Sequence, residues 1–348
     1  LKKFGFNRDL LFGVNLDYSG PQKQIAFTQR FPVSFKSSQS LSRRVYFTNF
    51  FDWMGAIREN SIYPIVNKLI PDIETGKWAM VTNSVQLKIV GELKGNDVVE
   101  SRVWLENILG NKGSTFDLCF EWRRRLSLNH YEVVAFGKQR VTWVKITGYG
   151  ETASEHLPEY VKIFMNLMKP QISLINPVAD LVGKLSEINR GKELLGMEKN
   201  PINSPPLFEQ IFSTTLEDSN LVGNIYFSNY SKWLGRTVDL YFYNLIPEYY
   251  RTTQVKEELV CLDCDINYLS EAMPFDKVSV RMYLGAIYEC GVDFHFEFYR
   301  TKENRIERKL AYAKYKAAWV KYKNDSTVTI GLPSQMVESL SNREVFKK

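Results

Sequence analysis

Histidine, cysteine and long apolar runs are what this sequence has least of. Four Cys in 348 residues are too few to staple so long a chain, which excludes a disulfide framework and makes a reducing, cytoplasmic setting the expectation. The lone Cys261-Leu262-Asp263-Cys264 has no second Cys pair and no nearby His to complete a zinc set. In a strand, its spacing of three also places the thiols on opposite faces, so no metal is expected. The apolar runs break within about ten residues, so no membrane span is expected. The start, Leu1-Lys2-Lys3-Phe4-Gly5, lacks the apolar stretch of a secretory leader. Lys and Arg number 45 against 39 Asp and Glu, a net charge of +6. That is too weak to indicate nucleic acid, and it suits an acidic partner.

What is present describes a folded chain. Hydrophobic residues at 44% and charged residues at 24% exclude extensive disorder. The length is about twice the commonest domain size, so two domains are expected. Aromatics reach 14%, which favours strands. The chain also repeats itself. Val45-Tyr46-Phe47-Thr48-Asn49-Phe50-Phe51-Asp52-Trp53-Met54-Gly55 returns 180 residues later as Ile225-Tyr226-Phe227-Ser228-Asn229-Tyr230-Ser231-Lys232-Trp233-Leu234-Gly235. Arg140 to Lys145 is echoed by Lys316 to Lys321, at an offset of 176. Two matches in the same order at nearly one offset identify a tandem duplication.

Each half has the same pattern. Gln24 to Phe35 reads as a short strand. Tyr46, Phe50, Trp53 and Ile57 then fall on one helical face, as do Tyr226, Tyr230, Trp233 and Thr237. Long strands follow. Phe116, Leu118, Phe120 and Trp122 alternate with Asp117, Cys119, Glu121 and Arg123, and Val292, Phe294, Phe296 and Phe298 alternate with Asp293, His295, Glu297 and Tyr299. Val133 to Ile146 reads as the last strand of the first half, and Ala311 to Trp319 as that of the second. Between the halves, Ile175 to Leu195 reads as helix and Asn200 to Pro206 as a turn-rich linker. The expected division is an N-terminal domain 1–172, a helical linker 173–203 and a C-terminal domain 204–348.

A short strand, a buried helix and four long strands form the order of a hotdog domain, so the expected fold class is α+β, a tandem double hotdog. The segment Ser219-Asn220-Leu221-Val222-Gly223-Asn224-Ile225-Tyr226-Phe227-Ser228-Asn229-Tyr230-Ser231-Lys232-Trp233-Leu234-Gly235-Arg236 resembles the T-N-L-V-G-N-V-Y-Y-x-N-Y-x-x-W-Q-G-R-x-R-E signature of hotdog thioesterases from enediyne polyketide pathways. A looser resemblance is to the 4-hydroxybenzoyl-CoA thioesterase class, which carries an Asp where Asn220 stands. The resemblance implies hydrolysis of an acyl thioester held on an acyl carrier protein or CoA, in polyketide or fatty acid biosynthesis. It implies no cofactor beyond the phosphopantetheine of that carrier. It also implies a pseudo-dimer within one chain, with further association of two chains left open.

On the same resemblance, Asn220, Tyr230 and Arg236 match the family's loop Asn, helix Tyr and first Arg. The family's second Arg falls on Val238, while the first half keeps it as Arg58, followed by Glu59. The first half in turn has Ser40, Phe50 and Ala56 at the other three positions, so the halves retain complementary pieces of one site. Gly223 and Asn224, with Asn49, Asn229 and Glu59, complete the candidate oxyanion and substrate contacts, because N–H groups at a helix start stabilise a developing oxyanion. Each residue also has a structural alternative. Asn220 and Asn224 can shape a turn before a helix, Tyr230 can be a core aromatic, and Glu59 and Asp239 can be ion-pair partners. A hotdog dehydratase would need a His beside an acid at the helix start. His130, His156 and His295 all lie elsewhere. Arg123-Arg124-Arg125 is a candidate dock for an acidic carrier. Acyl transfer with decarboxylation, as in the fused double hotdog enzyme of leinamycin biosynthesis, and a scaffold with decayed sites are the alternative functions.

Overall fold

The structure is a computed structural model and describes residues 14–17, 26–110, 113–127, 130–168, 190–195, 205–251, 257–303, 305–323 and 326–342. The first half runs β1 (Val14–Asp17), β2 (Ala26–Pro32), α1 (Thr48–Ser61), α2 (Val66–Glu74), β3 (Trp78–Ile89), β4 (Val98–Leu109), β5 (Thr115–Arg125), β6 (Tyr131–Gly148), β7 (Glu151–Ser154) and α3 (Glu159–Leu167). After β8 (Glu193–Leu195), the second half repeats this order with β9 (Phe208–Ser213), α4 (Ser228–Leu245), α5 (Pro247–Tyr250), β10 (Glu257–Tyr268), β11 (Lys277–Tyr288), β12 (Gly291–Lys302), β13 (Arg305–Lys323), β14 (Ser326–Thr329) and α6 (Ser334–Ser341).

Strand order is β2-β4-β5-β6-β3 in one half and β9-β11-β12-β13-β10 in the other. The two five-strand sets join where β3 pairs antiparallel with β10, from Asp263 opposite Lys88 to Asn267 opposite Ser84. Each set wraps one helix. On α1 the residues Phe50, Phe51, Met54 and Ile57 are buried, and on α4 burial extends around most of the circumference, from Tyr230 to Leu245. The inward strand residues Phe116, Leu118, Phe120 and Trp122, and Phe294, Phe296 and Phe298, close over the helices with almost no exposure. Burying each such side chain contributes roughly 1.5–3 kcal/mol, which makes this apolar interior the main stabilising feature.

The duplicated motif has a mechanical reason. A Cβ on Gly55 would stand 2.0 Å from the Tyr226 hydroxyl, and one on Gly235 would stand 2.9 Å from the Tyr46 hydroxyl. Each helix glycine thus admits the tyrosine of the other half. Tyr226 donates to Glu59 at 2.5 Å and Tyr46 donates to Asp239 at 2.9 Å. The repeat-matched carboxylates therefore tie the halves together through these tyrosines.

Two expectations change, and one pair of outward-pointing strand residues is buried. Cys261 and Cys264 both face the core, because a β-bulge between Cys261 and Asp263 inserts one extra residue and cancels the alternation. Asp117 and Cys119 are buried although they point outward from the sheet. Asp117 lies under Arg140, at 2.8 Å, and Lys138, whose aliphatic stems cover the strand. Within the expected linker helix, Glu193–Leu195 is instead a strand against β11, held there by the Cys290 and Glu289 amides donating to Arg190 and Lys192. The rest of the Ile175–Leu195 helix and most of the following linker lie outside the described residues.

Candidate functional site

Two cavities lie where the halves meet, framed by equivalent elements with the halves exchanged. The Arg58 cavity, about 470 Å³, takes its walls from α1, β3, the turn before α4 and the end of β10. The Asp239 cavity, about 710 Å³, is bounded by α4, β10, the segment before α1 and the end of β3.

The turn over the Arg58 cavity follows from its residues. The Asn220 carboxamide oxygen accepts the Val222 N–H at 2.9 Å, and Gly223 donates to the Asn220 carbonyl at 2.9 Å. Gly223 adopts φ +91°, a conformation glycine permits without steric cost. Because Val222 needs an acceptor, Asn220 keeps its NH2 as the group that can reach into the cavity. Asn220 and Asn224 both line the cavity, whereas Gly223 does not. Beyond the turn, the Ile225 and Tyr226 amides are spent on the carbonyls of Ala272 and Asp218. Phe227, at the start of α4, lines the cavity, and its N–H has no partner among the described residues. This N–H stands at the positive end of the helix dipole.

Across the cavity, Arg58 comes from the other half. It is largely buried, with a side-chain exposure of 11%. Its guanidinium lies 3.2 Å from Glu59, 3.4 Å from the Thr82 hydroxyl and 3.5 Å from the Tyr226 hydroxyl, and packs 5.3 Å from the Phe227 ring centre. Tyr230 is buried, and its hydroxyl accepts the Ala272 N–H at 3.3 Å. Its ring packs against Trp233, Tyr268 and Phe298, so the residue supports the floor as well as lining it.

Sequence reasoning missed Glu271. This carboxylate lines the Arg58 cavity, and burial raises its proton affinity above that of an ordinary glutamate, offset in part by a hydrogen bond from Asn224. One Glu271 oxygen, the Asn224 carboxamide oxygen and Arg58 Nε are buried without a hydrogen-bond partner among the described residues. Unpaired buried polar groups are costly, so their convergence on one cavity suits a polar guest. The signal was present in the repeat: Gly91-Glu92-Leu93 stands after β3 as Ser270-Glu271-Ala272 stands after β10.

The other candidates fall elsewhere. The Asn49 amide donates to the carbonyls of Ser37 and Tyr46, both at 3.0 Å, and that of Asn229 donates to Asp218 at 2.8 Å. Both side chains are thus spent on pinning the loop ahead of a helix, and neither lines either of these two cavities. Arg236 is exposed on α4 and also lines neither. Glu59 holds Tyr226 and Arg58 from outside the cavity lining. No described histidine lines either cavity. Of the basic triplet, Arg123 pairs with Glu100 and Glu121, Arg124 with Glu132, and Arg125 caps the Ser127 carbonyl.

The architecture defines the class as a tandem hotdog protein, and solved structures agree. The chain is similar to an acyl-ACP thioesterase from Bacteroides thetaiotaomicron VPI-5482, with TM-score 0.54 and 11% identity over 84% of this chain and 97% of that one. It is similar also to the 12:0-ACP thioesterase from Umbellularia californica, with TM-score 0.59 and 11% identity over 85% and 98%. Identity this low bears on the fold alone. Residues 214–340 match the family model described as the thioesterase-like superfamily. No curated protein matches the sequence. These findings bear out the thioesterase-like resemblance and the double hotdog fold, and at the level of class they support a thioester hydrolase. Among the described residues, no helix is long and apolar enough to cross a membrane.

Proposed function

We propose that the chain hydrolyses acyl thioesters in the Arg58 cavity, on chains carried by an acyl carrier protein or CoA in a polyketide or fatty acid pathway. The observation that carries this reading is that Arg58 from one half meets Asn220, Asn224 and Glu271 from the other in one cavity. Water attacks the carbonyl carbon while Glu271 takes its proton. Arg58, the Asn220 amide and the Phe227 N–H receive the negative charge on the carbonyl oxygen. The tetrahedral intermediate collapses, the carbon–sulfur bond breaks, and the proton on Glu271 passes to the departing thiolate. The products are a free acid and the bare thiol. Asn224, hydrogen-bonded to Glu271, orients the base, and Tyr230 holds the floor through Ala272. The chemistry needs only water and these side chains. The net charge of +6 favours encounter with an acidic carrier.

The test is intact-mass spectrometry of an acyl carrier protein loaded with acetyl, octanoyl or methylmalonyl groups, with and without the protein. Return of the bare holo carrier is expected, and the group that leaves fastest identifies the preferred acyl chain. Loss of the carboxyl mass alone from the methylmalonyl species, or no change in any species, would overturn the proposal.

A further inference from the structure

The Asp239 cavity has lost the groups that make its counterpart reactive, yet it has not closed. Val238 stands where the other half has Arg58, Phe50 where it has Tyr230, and Arg44 where it has Asn224. Arg44 is committed to an ion pair with Glu92 and stacks 3.5 Å from the Tyr322 ring centre. Among the described residues, the cations that line it, Arg44, Arg124 and Lys94, are all engaged and none is left to hold an oxyanion. Protein interiors ordinarily close-pack, and a volume of about 710 Å³ is within the range of small-molecule sites.

We propose that the Asp239 cavity is a non-hydrolytic binding site for an apolar chain that carries a hydroxyl group, seated with that hydroxyl on the Asp239 carboxylate. Phe47, Phe50, Val238 and Tyr315 supply apolar wall. Tyr46 fixes one carboxylate oxygen of Asp239 at 2.9 Å. The second oxygen has no hydrogen bond among the described residues and remains an acceptor facing the chain.

The same walls disfavour a carboxylate. Asp239 and Glu258 both line the cavity, and Glu258 is held by Tyr322 and, at 2.9 Å, by Gln39. The cations are engaged elsewhere: Arg44 with Glu92, Arg124 with Glu132, and Lys94 in contacts of its own. A free fatty acid would therefore meet like charge, whereas an alcohol of the same length would gain a hydrogen bond. This site does not depend on hydrolysis in the Arg58 cavity, so either reading can fail alone.

The test is calorimetric titration of the full chain at pH 8 with 1-decanol and with decanoate. One equivalent of decanol is expected to bind, with decanoate at least about tenfold weaker. Val238→Trp pushes an indole into the cavity beside Asp239 and is expected to weaken decanol binding at least about fivefold while thioester turnover stays within about twofold. Should that variant fail to fold, Asp239→Leu serves instead: decanol weakens at least about fivefold and its advantage over decanoate disappears. Arg58→Ala is expected to leave decanol affinity unchanged. Equal affinity for alcohol and acid, retention of decanol by the Asp239→Leu or folded Val238→Trp protein, or its loss in Arg58→Ala would overturn the proposal.

Discussion

The Arg58 and Asp239 cavities are built from corresponding elements, and they differ in how each treats the same glutamate. In the Asp239 cavity Glu92 is neutralised by Arg44 and also accepts the Thr327 hydroxyl. In the Arg58 cavity burial raises the proton affinity of Glu271, and its hydrogen-bond partner among the described residues is the neutral amide of Asn224. The guanidinium has moved in the opposite direction. It stands on the far wall as Arg58, separate from the carboxylate, where the Asp239 cavity has Val238. An ion pair within one wall neutralises both groups, whereas the same charges on opposite walls can act together on a guest between them.

The comparison breaks most directly at the two glutamates. Glu271→Gln is expected to lower kcat for octanoyl-CoA hydrolysis by about 10²–10⁴-fold, the usual contribution of a general base. Glu92→Gln is expected to change it less than about twofold. Equal losses would mean that the cavities work alike. The acid limb of the kcat profile belongs above the ordinary glutamate value, because the base must be ionised and burial raises its pKa. Activity therefore falls as pH drops through that raised value.

Next in size is the guanidinium. Arg58→Ala is expected to cost about 10²–10³-fold in kcat, as for loss of an oxyanion donor. Adding Val238→Arg to that variant should restore nothing, because Glu92 remains tied to Arg44. Recovery of turnover in the double variant would show that position 238 alone had silenced the second cavity.

Much of this organisation was legible in the sequence. Duplication, strand alternation and the apolar helices followed from period and repeat, because each reports burial along one element. The split of Arg58 and Asn220 between halves was legible from the motif alignment. Glu271 was not, since no motif marks it and its role depends on β10 ending beside the turn at Asn220. The loop hydrogen bonds of Asn49 and Asn229 were not legible for a similar reason. An amide in the first turn of a helix can face a ligand or its own preceding loop, and only the fold decides.

A smaller effect should distinguish the two helix glycines. Gly55→Ala places a methyl 2.0 Å from a Tyr226 hydroxyl that Glu59 holds, and is expected to destabilise by about 1–3 kcal/mol in urea unfolding. At Gly235 the nearest atom is 2.9 Å away. There the helix gain of about 1 kcal/mol for Ala over Gly offsets much of the clash, so stability should change little. Equal losses would mean that the crossing of the halves is as tight on one side as on the other.

The smallest expected effect is electrostatic and lies in the Asp239 cavity. Although Asp239 is an exposed residue, desolvation at its carboxyl raises it from 3.8 to about 6, against the Tyr46 hydrogen bond, which favours the ionised form. Between those two pH values the folded state holds a proton that the unfolded chain has released. Stability contributed by that proton is complete below about pH 4 and is lost as pH rises to about 6. Because Asp239 opens onto the cavity, water screens the charge and the slope should be shallow. Asp239→Asn is expected to flatten that part of the stability profile, measured by urea midpoints from pH 4 to 7. A profile with the same slope in the Asn variant would mean that cavity water solvates the carboxylate as fully as bulk water does.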